Sequence, residues 1–143
     1  MTAPQPNNEN ERLTLEFFAT LGSGDLEGVR ALLHEDATWT PMVKDIPGAG
    51  KHIGRKGIVD DFLMPIRGMF RPGDPKVLVD TIASNGSLVI TETRGKGALA
   101  DGLLTTISTV GLLNSRMARS LRSVNTWIAC MSRACLREPR GSP

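Results

Sequence analysis

The sequence predicts an α+β domain in which N-terminal helices pack against a curved antiparallel sheet. Apolar residues recur at helical spacing in the first part of the chain, and two β-branched runs further on are joined by a turn sequence. A chain of 143 residues, 40% of them apolar, is long enough to bury a core and falls in the size range of one domain.

The N-terminal part predicts two consecutive helices after a disordered lead-in over residues 1–10. Leu13, Phe17, Phe18 and Leu21 recur at helical spacing until a Gly-Ser-Gly sequence ends the run at residues 22–24. Asp25 is expected to cap a second helix that continues through residue 33.

The next segment predicts a short strand, a loop and a third helix. Residues 38–40 read as a strand that Pro41 ends, and residues 45–54 form a glycine-rich loop with a basic cluster at Lys51, His52, Arg55 and Lys56. We interpret this cluster mainly as a solvated basic loop, and the alternative is an anion site at the N-terminus of the helix that follows. Residues 55–70 can form a helix that a proline at position 65 should kink.

The strongest local signal is a β-hairpin. Residues 77–83 and 88–94 are of strand length and β-branched, and the Asn-Gly pair between them favours a tight turn. The register expected from this turn places Ala83 opposite Leu88 and Asp80 opposite Thr91, with Glu92 and Arg94 on the other face. Both faces then mix apolar and charged residues, which favours a sheet curved around a pocket over a flat one.

Composition excludes several classes of protein. The longest apolar run falls short of the ~18 residues of a membrane span, and the N-terminus lacks the basic and apolar regions of a secretory signal, so we expect a cytoplasmic protein with no membrane partner. Cys130 and Cys135 lack metal-binding spacing and predict neither a disulfide framework nor a metal site. Basic and aromatic residues do not alternate, so no specific nucleic-acid partner is expected.

The order helix, helix, strand, helix and antiparallel strands resembles the nuclear transport factor two-like superfamily, and within it the SnoaL-like polyketide cyclases. The resemblance covers residues 11–102 and is carried by residues 17–21, 24–27, 32–39, 54–58 and 92–97. It implies a cone-shaped fold in which the curved sheet and helices enclose an apolar pocket. It also implies acid/base chemistry of the cyclase, isomerase or hydrolase type on a hydrophobic, carbonyl-bearing small molecule, without a metal or cofactor.

The catalytic sets of two relatives are missing at the matching positions. Where ketosteroid isomerases carry a Tyr and an Asp, this chain has Phe17 and Pro41. Where limonene epoxide hydrolases carry Tyr and Asn, it has Trp39 and Pro41, and their Arg and Asp match Thr93 and Gly95. The catalytic candidates are the charged residues of the hairpin, Asp80, Glu92 and Arg94. The expected substrate-binding residues are Phe17, Trp39, Phe62, Thr91 and Thr93.

Residues 103–143 do not match the family pattern and form an atypical Arg- and Ser-rich tail. Residues 1–103 hold 11 Lys and Arg against 14 Asp and Glu, whereas residues 104–143 hold six Arg against one Glu. If the tail does not supply the last two strands, the sheet is incomplete, and the edge of the strand at residues 88–97 is unpaired. If the sheet is complete, we expect a homodimer.

A change of reading frame would explain the tail. Read one base out of frame, the codons of Met117 and Ala118 must encode Gly, and those of Trp127 and Ile128 must encode Asp. For the neighbouring residues, some of the codons that the protein sequence allows would make the shifted frame encode Asp-Gly-Lys-Ile around the Gly and Arg-Glu-Tyr-Met-Asp before and including the Asp. These two motifs resemble the closing turn and strand of the family. Our hypothesis is that the frame changed between residues 102 and 106. The alternative is a divergent natural terminus with a basic helix over residues 112–136.

Three functional hypotheses remain open at this stage. The first is an enzyme that uses the charged hairpin residues on a small hydrophobic substrate. The second is a non-catalytic ligand-binding or dimerisation domain, which the missing catalytic sets favour. The third is an inactive, frameshifted product.

Overall fold

The computed structural model describes residues 4–41 and 49–114, together with the backbone of residues 121–129. The helices are α1 (Glu9–Ser23), α2 (Leu26–Leu32), a π-helix (Lys56–Leu63) and α3 (Met64–Gly68). The strands are β1 (Leu33–Pro41), β2 (His52–Ile53), β3 (Lys76–Asn85), β4 (Leu88–Ala98), β5 (Leu104–Asn114) and β6 (Leu121–Ala129). Helices covering one face of a curved sheet confirm the α+β fold class.

The two N-terminal helices begin and end at specific capping residues. Asn8 caps α1 by accepting a hydrogen bond from the Glu11 N–H, so this helix starts at Glu9, before the expected position. Gly24 ends α1 at a φ of 84°, a left-handed conformation that glycine adopts without a Cβ penalty. Asp25 accepts from the Gly28 N–H and caps α2, as the sequence predicts.

The third helical segment has a wide turn where a regular helix was expected. The Met64 N–H bonds to the Val59 carbonyl, five residues back, which is the π-helical pattern. Pro65 follows directly and, in a regular α-helix, its ring would collide with the carbonyl four residues earlier. The wider turn avoids that collision, so the kink expected at Pro65 takes the form of a π-helix continuing into α3.

The strands form one six-stranded sheet in the order β2-β1-β6-β5-β4-β3. Neighbouring strands are antiparallel, as expected, except for β1 and β6, which run parallel. The strand expected at residues 38–40 also extends back to Leu33, with an irregular register between Leu33 and Thr38. We call the face carrying Val89 and Thr93 the inner face and the opposite one the outer face.

The hairpin forms, but its expected register is wrong. Asn85 pairs with Leu88, so the turn is two residues shorter than assumed, and Ala83 lies opposite Ile90 instead of Leu88. A bulge between Val79 and Thr81 then shifts the register by one further residue. As a result Asp80 leaves the face it was expected to share with Thr91 and lies on the outer face.

The tail completes the sheet in the part that the structure describes. β5 pairs with β4 along eleven residues, and β6 pairs with both β5 and β1. The condition for an unpaired edge on the strand at residues 88–97 is therefore not met. Residues 112–114 belong to β5 and 121–129 to β6, so the alternative of a basic helix over residues 112–136 is wrong there. Both cysteines lie outside the described residues.

The core lies between the helices and the inner face of the sheet. Apolar residues that are at most 2% exposed come from both layers: Leu13, Phe17, Val29, Leu33, Ala37, Ile58, Val59, Val89 and Leu113. Arg30 joins α2 to the π-helix through an ion pair with Asp60 at 2.6 Å, and this hydrogen-bonded guanidinium holds the pKa of Asp60 below its ordinary value. Within the described ranges, no helix has the length and apolar character that a membrane span requires.

Candidate functional site

A cavity of about 190 Å³ lies between the helical layer and the inner face of the sheet. An engineered apolar cavity of about 150 Å³ accommodates benzene, so this volume suits a molecule somewhat larger than one aromatic ring. The helices, β1 and the loop before β3 contribute Phe18, Leu21, Trp39, Phe62, Leu63, Ile66, Arg67 and Pro75, and the sheet contributes Val77, Thr93, Gly95, Ile107 and Thr109.

One side of the cavity is a connected set of aromatic rings. Trp39 contacts Phe62 edge to face at 5.3 Å between ring centroids, and its other neighbour Phe17 lies 5.6 Å away. His52 stacks on Phe62 at 4.3 Å. Contacts of this kind fix the ring positions, so this wall is preorganised for a flat apolar molecule.

The opposite side of the cavity is the inner face of the β3–β4–β5 ladder. Thr93 pairs with Val79 and Thr109, while Gly95 pairs with Val77 and Ile107. The bulge turns the first part of β3 inward, which brings Val77 to the cavity. Gly95 leaves open space here, because a Cβ at this position would meet no atom closer than the Ile107 carbonyl oxygen at 4.0 Å.

Few polar groups reach this cavity from the described residues. Those among its lining are Arg67, Thr93 and Thr109. The Thr93 hydroxyl donates to the Thr109 carbonyl at 3.5 Å, a long and weak hydrogen bond. Arg67 Nη1 donates to the Leu21 carbonyl at 2.9 Å. Neither a carboxylate nor an imidazole belongs to this described lining, so its polar groups are one guanidinium and two hydroxyls, which can both donate and accept.

The three expected catalytic residues lie together, but on the outer face. Asp80, Glu92 and Arg94 line a groove of about 210 Å³ together with Thr93, Ser108, Thr109 and Val110. The Arg94 guanidinium donates to both Asp80 oxygens, at 2.6 and 2.7 Å. These hydrogen bonds hold the pKa of Asp80 below its ordinary value, so this carboxylate is ionised near neutral pH. The sheet separates the groove from the apolar cavity.

The expected substrate-binding residues divide into two groups. Trp39, Phe62 and Thr93 line the cavity. Phe17 is fully buried behind Trp39, and Thr91 is 1% exposed one inner-face position along β4 from Thr93; neither belongs to the lining. The Thr91 hydroxyl is buried and has no hydrogen-bond partner among the described side chains and backbone.

Sequence reasoning missed most of the cavity wall. Ile107 and Thr109 lie in the segment treated as an atypical tail, although β-branched residues of this kind are typical of strands. Val77 was missed because the bulge reverses its face. Arg67 was not singled out, because nothing in its local sequence shows that α3 returns to the end of α1.

A small group of possible metal ligands lies at the start of β1. Atoms of His34, Glu35 and Asp36 that could bind a metal lie within 4.8 Å of one another. Both carboxylates are exposed, and the His34 Nδ1 already accepts a hydrogen bond from the Asp36 N–H at 3.0 Å. Exposed acidic groups of this kind are common on protein surfaces, and we assign no function to them.

Comparisons with known proteins place this fold. The sequence model for the SnoaL-like domain matches residues 14–119, which extends the resemblance beyond the range of 11–102 expected from the motifs. No curated protein matches the chain.

Solved structures resemble the chain over most of its length. An epoxide hydrolase of the limonene epoxide hydrolase type from M. tuberculosis has a TM-score of 0.72 at 18% identity, covering 90% of both chains. A putative SnoaL-like polyketide cyclase from Shewanella denitrificans has a TM-score of 0.70 at 16% identity, covering 90% of this chain and 98% of its own. TerC, co-crystallised with polyporic acid, has a TM-score of 0.69 at 18% identity, covering 83% and 90%.

Identities this low show a common fold and leave the activity open. Family membership instead follows from the sequence match, which spans well over half of the chain. The chain belongs to the SnoaL-like domain family.

Proposed function

We propose that this SnoaL-like domain binds a small, mainly apolar molecule in the cavity between its helices and sheet. The observation that carries the proposal is the lining itself: an aromatic wall formed by Trp39 and Phe62 faces an inner sheet surface with an open position at Gly95. Concave, mostly apolar sites with a few polar groups are the usual form of small-molecule sites.

The polar groups of the lining suit a carbonyl-bearing ligand. Thr93 and Thr109 carry hydroxyl groups and Arg67 carries N–H donors, so the described wall can donate to an oxygen. A carbonyl oxygen accepts such bonds, and the two threonine hydroxyl oxygens can in turn accept a bond from a ligand hydroxyl. TerC, which shares this fold, has been co-crystallised with polyporic acid.

Binding without catalysis is the form of the proposal that the geometry favours. General acid/base catalysis needs a titratable side chain within hydrogen-bond reach of the reacting atom. The described cavity lining contains no Asp, Glu or His. The described lining thus lacks an acid/base group, which agrees with the sequence: the catalytic residues of ketosteroid isomerases and limonene epoxide hydrolases are not found at the matching positions.

The experiment is a thermal shift combined with a turnover assay, using 4-phenylbutan-2-one as a small apolar ketone. A ligand at about ten times its Kd should raise the Tm by roughly 3 °C or more, without consumption of the ketone. Lack of any shift at millimolar ketone, together with no heat of binding by calorimetry, would contradict the proposal.

Catalysis by Asp80, Glu92 and Arg94 is the second candidate. The observation in its favour is that these three residues share one groove on the outer face. Because Asp80 is held ionised by Arg94, its role would be that of a base or an electrostatic group, not of a general acid. Turnover that is lost in Asp80→Asn and retained in Gly95→Val would support this candidate over binding in the cavity.

A further inference from the structure

We infer that the ligand of the cavity carries an anionic group, such as a carboxylate, at the end of its apolar body, and that Arg67 binds this group. The inference rests on the proposed function and specifies its ligand class. It depends on how Arg67 is placed and on which of its neighbours could balance its charge.

Arg67 is the one charged residue among the described residues that line the cavity. It lies on α3 and is half-buried, at the place where α3 meets the end of α1. Removing a cation from water has a free-energy cost that an opposite charge can offset. An anion at the end of an apolar ligand would supply that charge within the cavity.

The described part of the chain gives Arg67 no carboxylate partner. Arg12, Arg30 and Arg94 each form an ion pair with an Asp or Glu at 2.6 to 3.0 Å. The Arg67 guanidinium donates a hydrogen bond instead to the Leu21 carbonyl, a neutral acceptor at the C-terminal end of α1. The negative end of the α1 dipole stabilises the guanidinium only in part, because a helix end is equivalent to roughly half a unit charge.

The guanidinium is also held in position before a ligand arrives. Nη1 bonds to Leu21, and the group packs so closely over Gly24 that a Cβ there would lie 3.0 Å from Nη2. An arginine has five N–H donors in a planar fork that matches a carboxylate. A guanidinium fixed by one nitrogen loses less conformational entropy when its other donors bind an anion.

The ligand class follows from the two kinds of side chain in the lining. The aromatic wall of Trp39 and Phe62 takes the apolar body, and Arg67 takes the anionic end. A volume of about 190 Å³ limits the body to roughly one ring with a short chain. Arylalkanoic acids are the simplest compounds with these properties.

The experiment compares 4-phenylbutyrate with 4-phenylbutan-1-ol by isothermal titration calorimetry at low ionic strength. These two probes share the apolar body and differ in charge. We expect the acid to bind the wild-type protein at least tenfold more tightly than the alcohol, and this preference to shrink as salt rises from 0.05 to 0.5 M.

Arg67→Met should reduce the preference to less than twofold while the alcohol binds as before. Arg71→Met is the matched control, because Arg71 is exposed and is not part of the lining, and it should keep the preference. If Arg67→Met does not fold for lack of a donor to Leu21, Arg67→Lys keeps a charge and a donor, and it should retain only part of the preference because it loses the planar fork.

Two results would overturn the inference. Equal affinities for acid and alcohol in the wild-type protein would contradict the inference that the ligand is an anion. They would still agree with the proposed binding of an apolar molecule. A preference that persists in folded Arg67→Met would assign the anion to another residue. If neither these probes nor the ketone binds the wild-type protein, the proposed function itself fails.

Discussion

Arg94 donates hydrogen bonds to both carboxylate oxygens of Asp80 across the outer face of the β3–β4 hairpin. The bulge in β3 makes this contact possible, because it turns Asp80 to the face on which Arg94 lies. Two residues that the sequence offered as catalytic candidates are thus partners in an ion pair on the side of the sheet opposite the cavity.

Arg94→Met should raise the pKa of Asp80 toward its ordinary value of 3.8, because the Arg94 hydrogen bond is the largest cause that lowers it. Since the folded-state pKa is the lower one, the pair stabilises the protein above about pH 3.8 and loses this effect as pH falls through the folded-state pKa. Carboxyl titration by NMR measures the change. Lys96→Met is the control and should raise the pKa less, and an equal rise in both variants would contradict the assignment.

Glu11 connects the N-terminal segment to the end of the hairpin. This carboxylate is 2% exposed and accepts hydrogen bonds from the Ser84 hydroxyl at 2.5 Å, from the Asn7 N–H and from the side chains of Asn7 and Asn8. The bond from Ser84 is the largest cause that lowers the pKa of Glu11. Several donors converging on one carboxylate make this contact sensitive to its charge.

Glu11→Gln should lower the free energy of unfolding by roughly 1 to 3 kcal/mol. The substitution replaces one carboxylate oxygen, which accepts hydrogen bonds, by an NH2 group, which would face the donors of the neighbouring residues. The wild-type protein should lose stability as pH falls below the ordinary glutamate pKa of 4.5, and the variant should lose less over that range. Urea unfolding from pH 3 to pH 7 measures both effects. The exposed Glu16→Gln should change stability by less than about 0.5 kcal/mol, and equal effects at both positions would contradict the role of Glu11.

The local sequence was enough to predict the elements whose signals are short in range. The spacing of Leu13, Phe17 and Leu21 predicts α1, Asp25 predicts the start of α2, and the Asn-Gly turn predicts the hairpin. Each of these depends on residues within a few positions of one another. The fold class and the SnoaL-like resemblance were confirmed for the same reason: several local signals occur in the family's order.

Features that depend on distant contacts were not predictable in this way. Asp80 lies on the outer face because of a bulge, and a one-residue change in register reverses every later side chain of the strand. Pairing between β6 and β1 joins segments about 85 positions apart. The cavity was anticipated at Trp39, Phe62 and Thr93, but Arg67 and Thr109 reach it only through these long-range contacts.

Gly95→Val should lower the affinity of the cavity for its ligand by at least tenfold, because the new side chain occupies space that the ligand would fill. Position 95 has room for a side chain, because a Cβ there would lie 4.0 Å from the nearest atom, the Ile107 carbonyl oxygen. Calorimetry with 4-phenylbutan-2-one measures the loss. Ser108→Val is the matched control on the outer face, opposite Arg94, and should leave this affinity unchanged. Full affinity in folded Gly95→Val would place the ligand elsewhere.

The reading-frame hypothesis remains a prediction about the gene. It predicts that the nucleotides of codons 98–143, read one base out of frame without a stop, encode Asp-Gly-Lys-Ile followed by Arg-Glu-Tyr-Met-Asp. Sequencing this region of the gene and translating all three frames tests this prediction directly. Other residues at these positions would establish the Arg-rich tail as the natural end of the domain, and the strands β5 and β6 as its native strands.

A chain that ends after residue 114 should lose its cooperative unfolding transition. It lacks β6, which pairs with β5 on one side and with β1 on the other, so the sheet is divided in two and both neighbouring edges are left unpaired. Calorimetry and size-exclusion chromatography should then show no sharp transition and a shift toward aggregates. A chain that ends after residue 129 keeps all six described strands and is the control, expected to unfold cooperatively. If the shorter chain unfolds at the same Tm as this control, β6 does not stabilise the sheet, and the remaining strands must bury the core on their own.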